Sequence, residues 1–147
     1  MIFFSAALEL FINIIITIIM NSLIVDAARN EIFLTYIVGK NIYTCSHENS
    51  KTNFEKMIIL MNDFLKVNNS SLEKIGVIYV NRGPGSFAGI RNSLSIIKAL
   101  FLTKNIDYYC FSYLDFNKLS DIKHKDVPQL CEKFKVKKNL PNPIYLS

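Results

Sequence analysis

Arg82-Gly83-Pro84-Gly85-Ser86-Phe87-Ala88-Gly89-Ile90-Arg91 follows directly on the apolar run Ile75-Gly76-Val77-Ile78-Tyr79-Val80, and this junction decides the fold. Three of the five glycines and one of the four prolines of the chain fall within those ten positions. A short apolar run closed by glycine and proline reads as a buried strand. Gly83 and Gly85 reach backbone angles closed to other residues, and Pro84 fixes one torsion between them. Ser86 is placed to cap the helix that follows, and Gly89 lets that helix lie close to a neighbour. The unit is strand, glycine loop, helix.

The helix is expected from about Phe87 to Thr103. Ile90, Leu94, Ile97 and Phe101 form one stripe along it, while Ile96 and Leu100 form another on a different side. A helix apolar on two sides is covered on two sides, here by a sheet and by either the rest of the chain or a partner. Upstream, Ser22 to Asp26 reads as a buried first strand and Glu31 to Val38 as a second. Gly39-Lys40-Asn41 makes a hairpin turn into a third, Ile42 to Ser46. Phe54, Met57, Ile58, Met61 and Leu65 then follow the spacing of one helix face, widened by Leu60 and Phe64. Downstream, Asp107 to Ser112 reads as a fifth strand, followed by a short helix around Tyr113 to Leu119. The order is β-β-β-α-β-α-β. Residues 120–147 contain Pro128, Pro141 and Pro143 with little periodicity, and read as a basic, mostly irregular tail.

Half of the 147 residues are apolar and a fifth are charged, which suits one folded domain and excludes global disorder. The net charge of +5 is modest, and Lys133, Lys135, Lys137 and Lys138 concentrate it late in the chain, either as a solvated, mobile tail or as a weak electrostatic contact for tRNA or an acidic partner. Cys45, Cys110 and Cys131 are widely spaced, as befits idle thiols in a reducing compartment, and His47 and His124 have no metal-ligand spacing. No metal site is expected. Residues 1–19 are apolar with a single charge, Glu9. With no Lys or Arg before them and Glu9 and Asn13 inside, they make a poor signal or membrane span. We expect translation to begin at Met20, residues 1–19 being a gene-start extension. A membrane anchor and a helix packed on the domain are the alternatives.

The glycine stretch resembles the RGPGSFTGLR signature of the TsaB family, a subunit of the bacterial machinery that makes threonylcarbamoyladenosine in tRNA. Ala88 stands where the family usually has Thr, and Ile90 where it has Leu. The ending Asn142-Pro143-Ile144-Tyr145-Leu146-Ser147 is similar to the family's P-x-Y-L-R close. The resemblance covers residues 21–116 and these last six. It implies an α/β fold: a single ribonuclease-H-like lobe of the actin-like ATPase superfamily, with a mixed five-stranded sheet covered by helices over residues 20–119. Typical members carry a second lobe where this chain has about thirty residues, so the resemblance implies a reduced form.

The same resemblance implies function. Asp26 matches the family's Asp at the end of strand one. With Gly83, Gly85 and Ser86 it is the candidate anion or nucleotide contact, the alternative being a tight turn that binds nothing. Ala27 and Ala28 replace the family's Thr and Ser, and Asn53-Phe54-Glu55 lacks the histidine pair with which the catalytic relative TsaD holds a metal. No catalytic set can be assembled, which points to a non-catalytic subunit. The resemblance further implies that the two central helices pack on TsaD in a four-helix contact. Phe54, Met57, Ile58, Met61, Phe64, Ile90, Arg91, Leu94, Ile97 and Phe101 are its candidate residues. TsaE is a further partner, tRNA is reached through the complex, and ATP or ADP is held only at the complex boundary. Self-association through the same face is expected without TsaD, and the location is cytoplasmic. The competing readings are a nucleotide-binding transferase or peptidase-like enzyme of the superfamily, and a small membrane-anchored protein.

Overall fold

The computed structural model describes residues 2–19, 21–117 and 121–145. After helix α1 (Ile2–Ile19) come strands β1 (Asn21–Asp26), β2 (Glu31–Val38) and β3 (Asn41–Glu48). Helices α2 (Lys51–Glu55) and α3 (Met57–Val67), strand β4 (Ile75–Asn81), helix α4 (Phe87–Lys104) and strand β5 (Asp107–Phe111) follow, and α5 (Val127–Lys133) lies in the tail. The sheet order is β3-β2-β1-β4-β5. β2 pairs antiparallel with both β1 and β3, while β4 lies parallel to both β1 and β5. This is the mixed sheet expected from the sequence.

β4 explains why its segment reads as continuously apolar. It has a sheet partner on either side and layers on both faces, so alternate residues serve two cores. Ile78 and Val80 join Leu23, Val25, Leu34 and the helix residues Met57, Met61, Leu65, Ile97 and Leu100 in the larger core. Val77 and Tyr79 face the other way, with Ile24, Phe111, Phe116, Val127 and Cys131. The second core is built partly by the tail, so residues 121–145 are a docked layer and not a mobile appendage. Its lysines Lys133, Lys135, Lys137 and Lys138 are exposed, as expected of a solvated face.

Two local details differ from the periodicity, while α4 ends within one residue of its expected end. The helix expected over Asn53–Lys66 is two helices, because Lys56 leaves helical angles at φ −110° and ψ 25°. No glycine or proline causes this, and the residues on either side, Phe54 and Met57, are both buried. α4 ends where Asn105 turns left-handed at φ 54°, and its backbone N–H donates to the Phe101 carbonyl. After β5 the expected short helix is one 3-10 turn, Tyr113–Phe116, closed by a reciprocal Ser112–Asp115 capping box. Leu119 lies outside the described residues, as does Met20. Among the described residues no helix is long and apolar enough to cross a membrane. α1 nevertheless presents Leu8, Leu10, Phe11 and Ile12 to solvent.

Candidate functional site

The parallel strands β1 and β4 end side by side, and their last residues are Asp26 and Asn81. Both side chains are polar and both are buried. Burying a carboxylate is costly unless every lone pair is used, and here each oxygen is engaged by the chain itself. Oδ1 accepts from the Ala28 backbone N–H at 3.2 Å and from Asn81 Nδ2 at 3.0 Å. Oδ2 accepts from His124 Nε2 at 2.8 Å and lies 3.5 Å from Arg29 Nε. The acceptor role of the carboxylate requires the proton of that contact to sit on Nε2 of His124.

The surroundings tie the cluster together. The His124 ring packs on Phe33 with centroids 5.5 Å apart, and the Arg29 guanidinium lies 4.3 Å above the Tyr113 ring. Burial first, and then the Asp26 carboxylate, push the Tyr113 hydroxyl upward, against the opposing pull of Arg29. His124, Tyr113 and Arg29 therefore roof Asp26. His124 comes from the 3-10 turn His124–Asp126, in a stretch whose sequence carries no periodicity. Sequence reasoning passed over His124 because 98 positions separate it from Asp26.

The glycine loop is occupied in the same way. The Arg82 N–H donates to the Phe111 carbonyl and the Ser86 N–H to the Ala28 carbonyl, each at 2.8 Å, while the Gly83 N–H reaches Asn81 Oδ1 at 2.9 Å. Ser86 caps α4 as expected, its hydroxyl accepting from the Gly89 N–H at 3.2 Å. Each glycine lets another backbone come close. Gly83 sits at φ +106°, and a Cβ there would overlap the Ile144 carbonyl oxygen. A Cβ on Gly85 would overlap the carbonyl oxygen of Ala28, and one on Gly89 that of Ala27. The loop and α4 thus lie directly on the backbone of Ala27 and Ala28. We predict that Gly85→Ala and Gly89→Ala each destabilise the protein by at least ~2 kcal/mol, since backbone has to move. Urea unfolding would measure it, and an unchanged midpoint would contradict the packing.

The last described residues complete the loop. The Ile144 N–H donates to the Arg82 carbonyl at 2.8 Å, Tyr145 bridges Gly85, and the Tyr145 and Phe87 rings lie 4.8 Å apart. Arg82 donates to the Asn142 carbonyl at 2.8 Å and to Asp115 Oδ1 at 2.7 Å. With its side chain only 14% exposed, Arg82 is an internal clamp, whereas Arg91 is exposed. A cavity of 220 Å³ opens beside Arg82 and Asp115, under Lys135 and Lys137. Its two inner charges neutralise each other. Cys110, also on its wall, is pushed up to about 12 by burial, and so is Cys131 elsewhere. Neither is a thiolate at neutral pH. Among the described residues no group of three or more His, Cys, Asp or Glu side chains could hold a metal ion.

The expected partner-facing residues divide into two sets. Phe54, Met57, Met61, Phe64, Ile90 and Ile97 are buried in the chain's own core. Ile58, Leu94 and Phe101 are half-buried and Arg91 is exposed. The large apolar side chains that the two helices expose are Ile59 and Val67 on α3 and Phe87 and Leu102 on α4, 53%, 80%, 56% and 69% exposed. None of the four is among the expected contacts.

No protein-family model matches the chain. It is 31% identical to the tRNA threonylcarbamoyladenosine biosynthesis protein TsaB of Buchnera aphidicola subsp. Baizongia pistaciae (strain Bp) over an alignment that covers 42% of this chain. The chain spans about a third of that relative's length, 32%. Among solved structures, YeaZ from Pseudomonas aeruginosa superposes with a TM-score of 0.58 at 16% identity, covering 63% of this chain and 44% of YeaZ. A second structure, described as an uncharacterized protein with similarity to peptidase YEAZ from Pseudomonas aeruginosa, gives 0.59 at 16% identity over 63% of this chain and 43% of its own. The resemblance to the TsaB family carried by the glycine loop thus holds in sequence over part of the chain. The fold is the α/β lobe that the resemblance implied.

Proposed function

We propose that this chain is a non-catalytic supporting subunit in the synthesis of threonylcarbamoyladenosine on tRNA, and that it acts by docking onto a TsaD-like transferase. One observation carries the reading: the acidic group at the end of β1 is consumed by the chain's own fold. Asp26 is fully buried, and His124, Asn81, Arg29 and a backbone N–H occupy its oxygens. A general base or metal ligand needs a lone pair open to substrate, and Asp26 offers none. The loop N–H groups of Arg82, Gly83 and Ser86 are likewise committed to internal acceptors. An anion at this loop would have to displace bonds that hold β1, β4 and the tail together. ATP or ADP therefore belongs, on this reading, to the boundary with the partner, where the partner supplies the phosphate ligands. A TsaE-like ATPase and the tRNA join through that complex, in the cytoplasm.

The docking surface is the outer face of α3 and α4. The inner face of these helices is spent on the sheet. Among their exposed apolar side chains Val67 ends α3 and Phe87 lies against Tyr145. Ile59 and Leu102, with half-buried Ile58, Leu94 and Phe101 beside them in sequence, are therefore the ones to meet a partner's helices. A stable contact of this kind buries upwards of ~1,200 Å² with an apolar centre. We expect Ile59→Asp combined with Leu102→Asp to reduce recovery of the TsaD homologue in a native pull-down at least ~100-fold, with an unchanged unfolding midpoint. A chain that keeps its partner after both changes, or never recovers one, overturns the proposal.

A further inference from the structure

The two edges of the sheet are treated differently. On the outer side of β5, the tail closes the edge: Lys138 bridges Tyr109 antiparallel, and the Asn139 N–H donates to the Tyr108 carbonyl at 2.7 Å. The Asn139 side chain completes the pairing, accepting from the Tyr108 N–H at 2.9 Å and donating to Asp107 at 3.0 Å. On the other side, β3 pairs with β2 alone. It runs eight residues in unbroken register, from Asn41 opposite Val38 to Glu48 opposite Glu31. It holds no proline, no bulge and no lysine within the strand, the devices by which exposed edges avoid pairing. The strand is largely exposed, including Ile42 and Tyr43.

The turn fixes which groups face outward. Gly39 at φ +59° and Lys40 form a two-residue hairpin turn, whose flanking pair, Val38 and Asn41, bond to each other. Donors and acceptors alternate in direction along a strand, so those of Ile42, Thr44, Ser46 and Glu48 point away from β2, the Glu48 carbonyl alone already accepting from Asn53 Nδ2 at 2.8 Å. A second copy, turned about a two-fold axis at Thr44, would meet these groups with its own. The side chains agree with that register. Lys40 then stands opposite Glu48 of the second copy, twice over, and Ile42 opposite Ser46. Neither Lys40 nor Glu48 has an ion-pair partner among the described residues. An axis at Cys45 would instead set Glu48 against Ile42, and loses both ion pairs.

We propose that the outer edge of β3 is a self-association surface, on which a second copy of this chain pairs antiparallel about Thr44 to make one continuous sheet. This contact lies apart from the outer face of α3 and α4 and goes beyond the docking proposed above.

Sedimentation of the full chain at micromolar concentrations tests it. The unaltered chain is expected to dimerise. Thr44→Pro removes an outward N–H from each copy and leaves the bonds to β2 in place, so it should weaken dimerisation at least about tenfold. Lys40→Glu should weaken it several-fold, and Lys40→Glu with Glu48→Lys should restore it. Leu102→Asp, on the helix face, should leave it unchanged. A monomer at tens of micromolar overturns the proposal. So does a dimer that Leu102→Asp breaks and Thr44→Pro does not, or a double charge reversal as weak as the single one. If Thr44→Pro loses its folded circular dichroism spectrum, the charge-reversal pair decides.

Discussion

Ile97→Asp is expected to leave no cooperative unfolding transition, and Met61→Asp to do the same. Ile97 is 1% exposed and Met61 fully buried, and both belong to the core between the helices and the sheet. Removing a large apolar side chain from such a site costs roughly 2–5 kcal/mol, and an unpaired carboxylate adds several more. The sum reaches the whole stability of a domain of this size, about 5–15 kcal/mol. Circular dichroism during a urea titration would show it as a flat, unfolded baseline. If either variant instead kept a native transition and lost only partner binding, these residues would have to face outward in solution.

Asp26→Ala should cost about 3–5 kcal/mol, because it strands the imidazole of His124, the amide of Asn81 and the N–H of Ala28 around an empty centre. His124→Ala should cost less, since half-exposed Arg29 remains 3.5 Å from the same carboxylate. The informative quantity is the coupling between them. Once Asp26 is gone, deleting His124 should cost almost nothing more, giving an interaction energy on the order of 1–3 kcal/mol in a double-mutant cycle. Limited proteolysis supplies a second readout, with cleavage of residues 121–136 accelerated in both single variants. Additive energies and an unchanged cleavage pattern would mean that the tail is held by Val127 and Cys131 alone.

Much of the sheet was legible because its strands are apolar runs between turn residues. β2 and β4 begin and end where their sequences suggested, and Gly39-Lys40 turns the chain as its chemistry demands. The glycine loop was legible too, including the Ser86 cap. Two things were hidden for physical reasons. Helical periodicity tells which positions share a face, but a helix with two apolar faces does not say which one meets the sheet. Met57, Met61, Ile90 and Ile97 went inward, and Ile59 and Leu102 were left outside. The roof over Asp26 was hidden because it is a pairing between distant segments. His124 sits in a stretch without period, and only the fold brings it to the end of β1.

The order in which the segments leave the ribosome gives this roof a further consequence. A nascent chain halted between Ser112 and His124 already holds all five strands, yet its Asp26 has no imidazole and its Arg82 no acceptor at Asn142. Such an unfinished chain keeps Asn81 and Arg29 on Asp26 but leaves the second face of the sheet open, the kind of apolar surface that chaperones bind, until its last residues arrive.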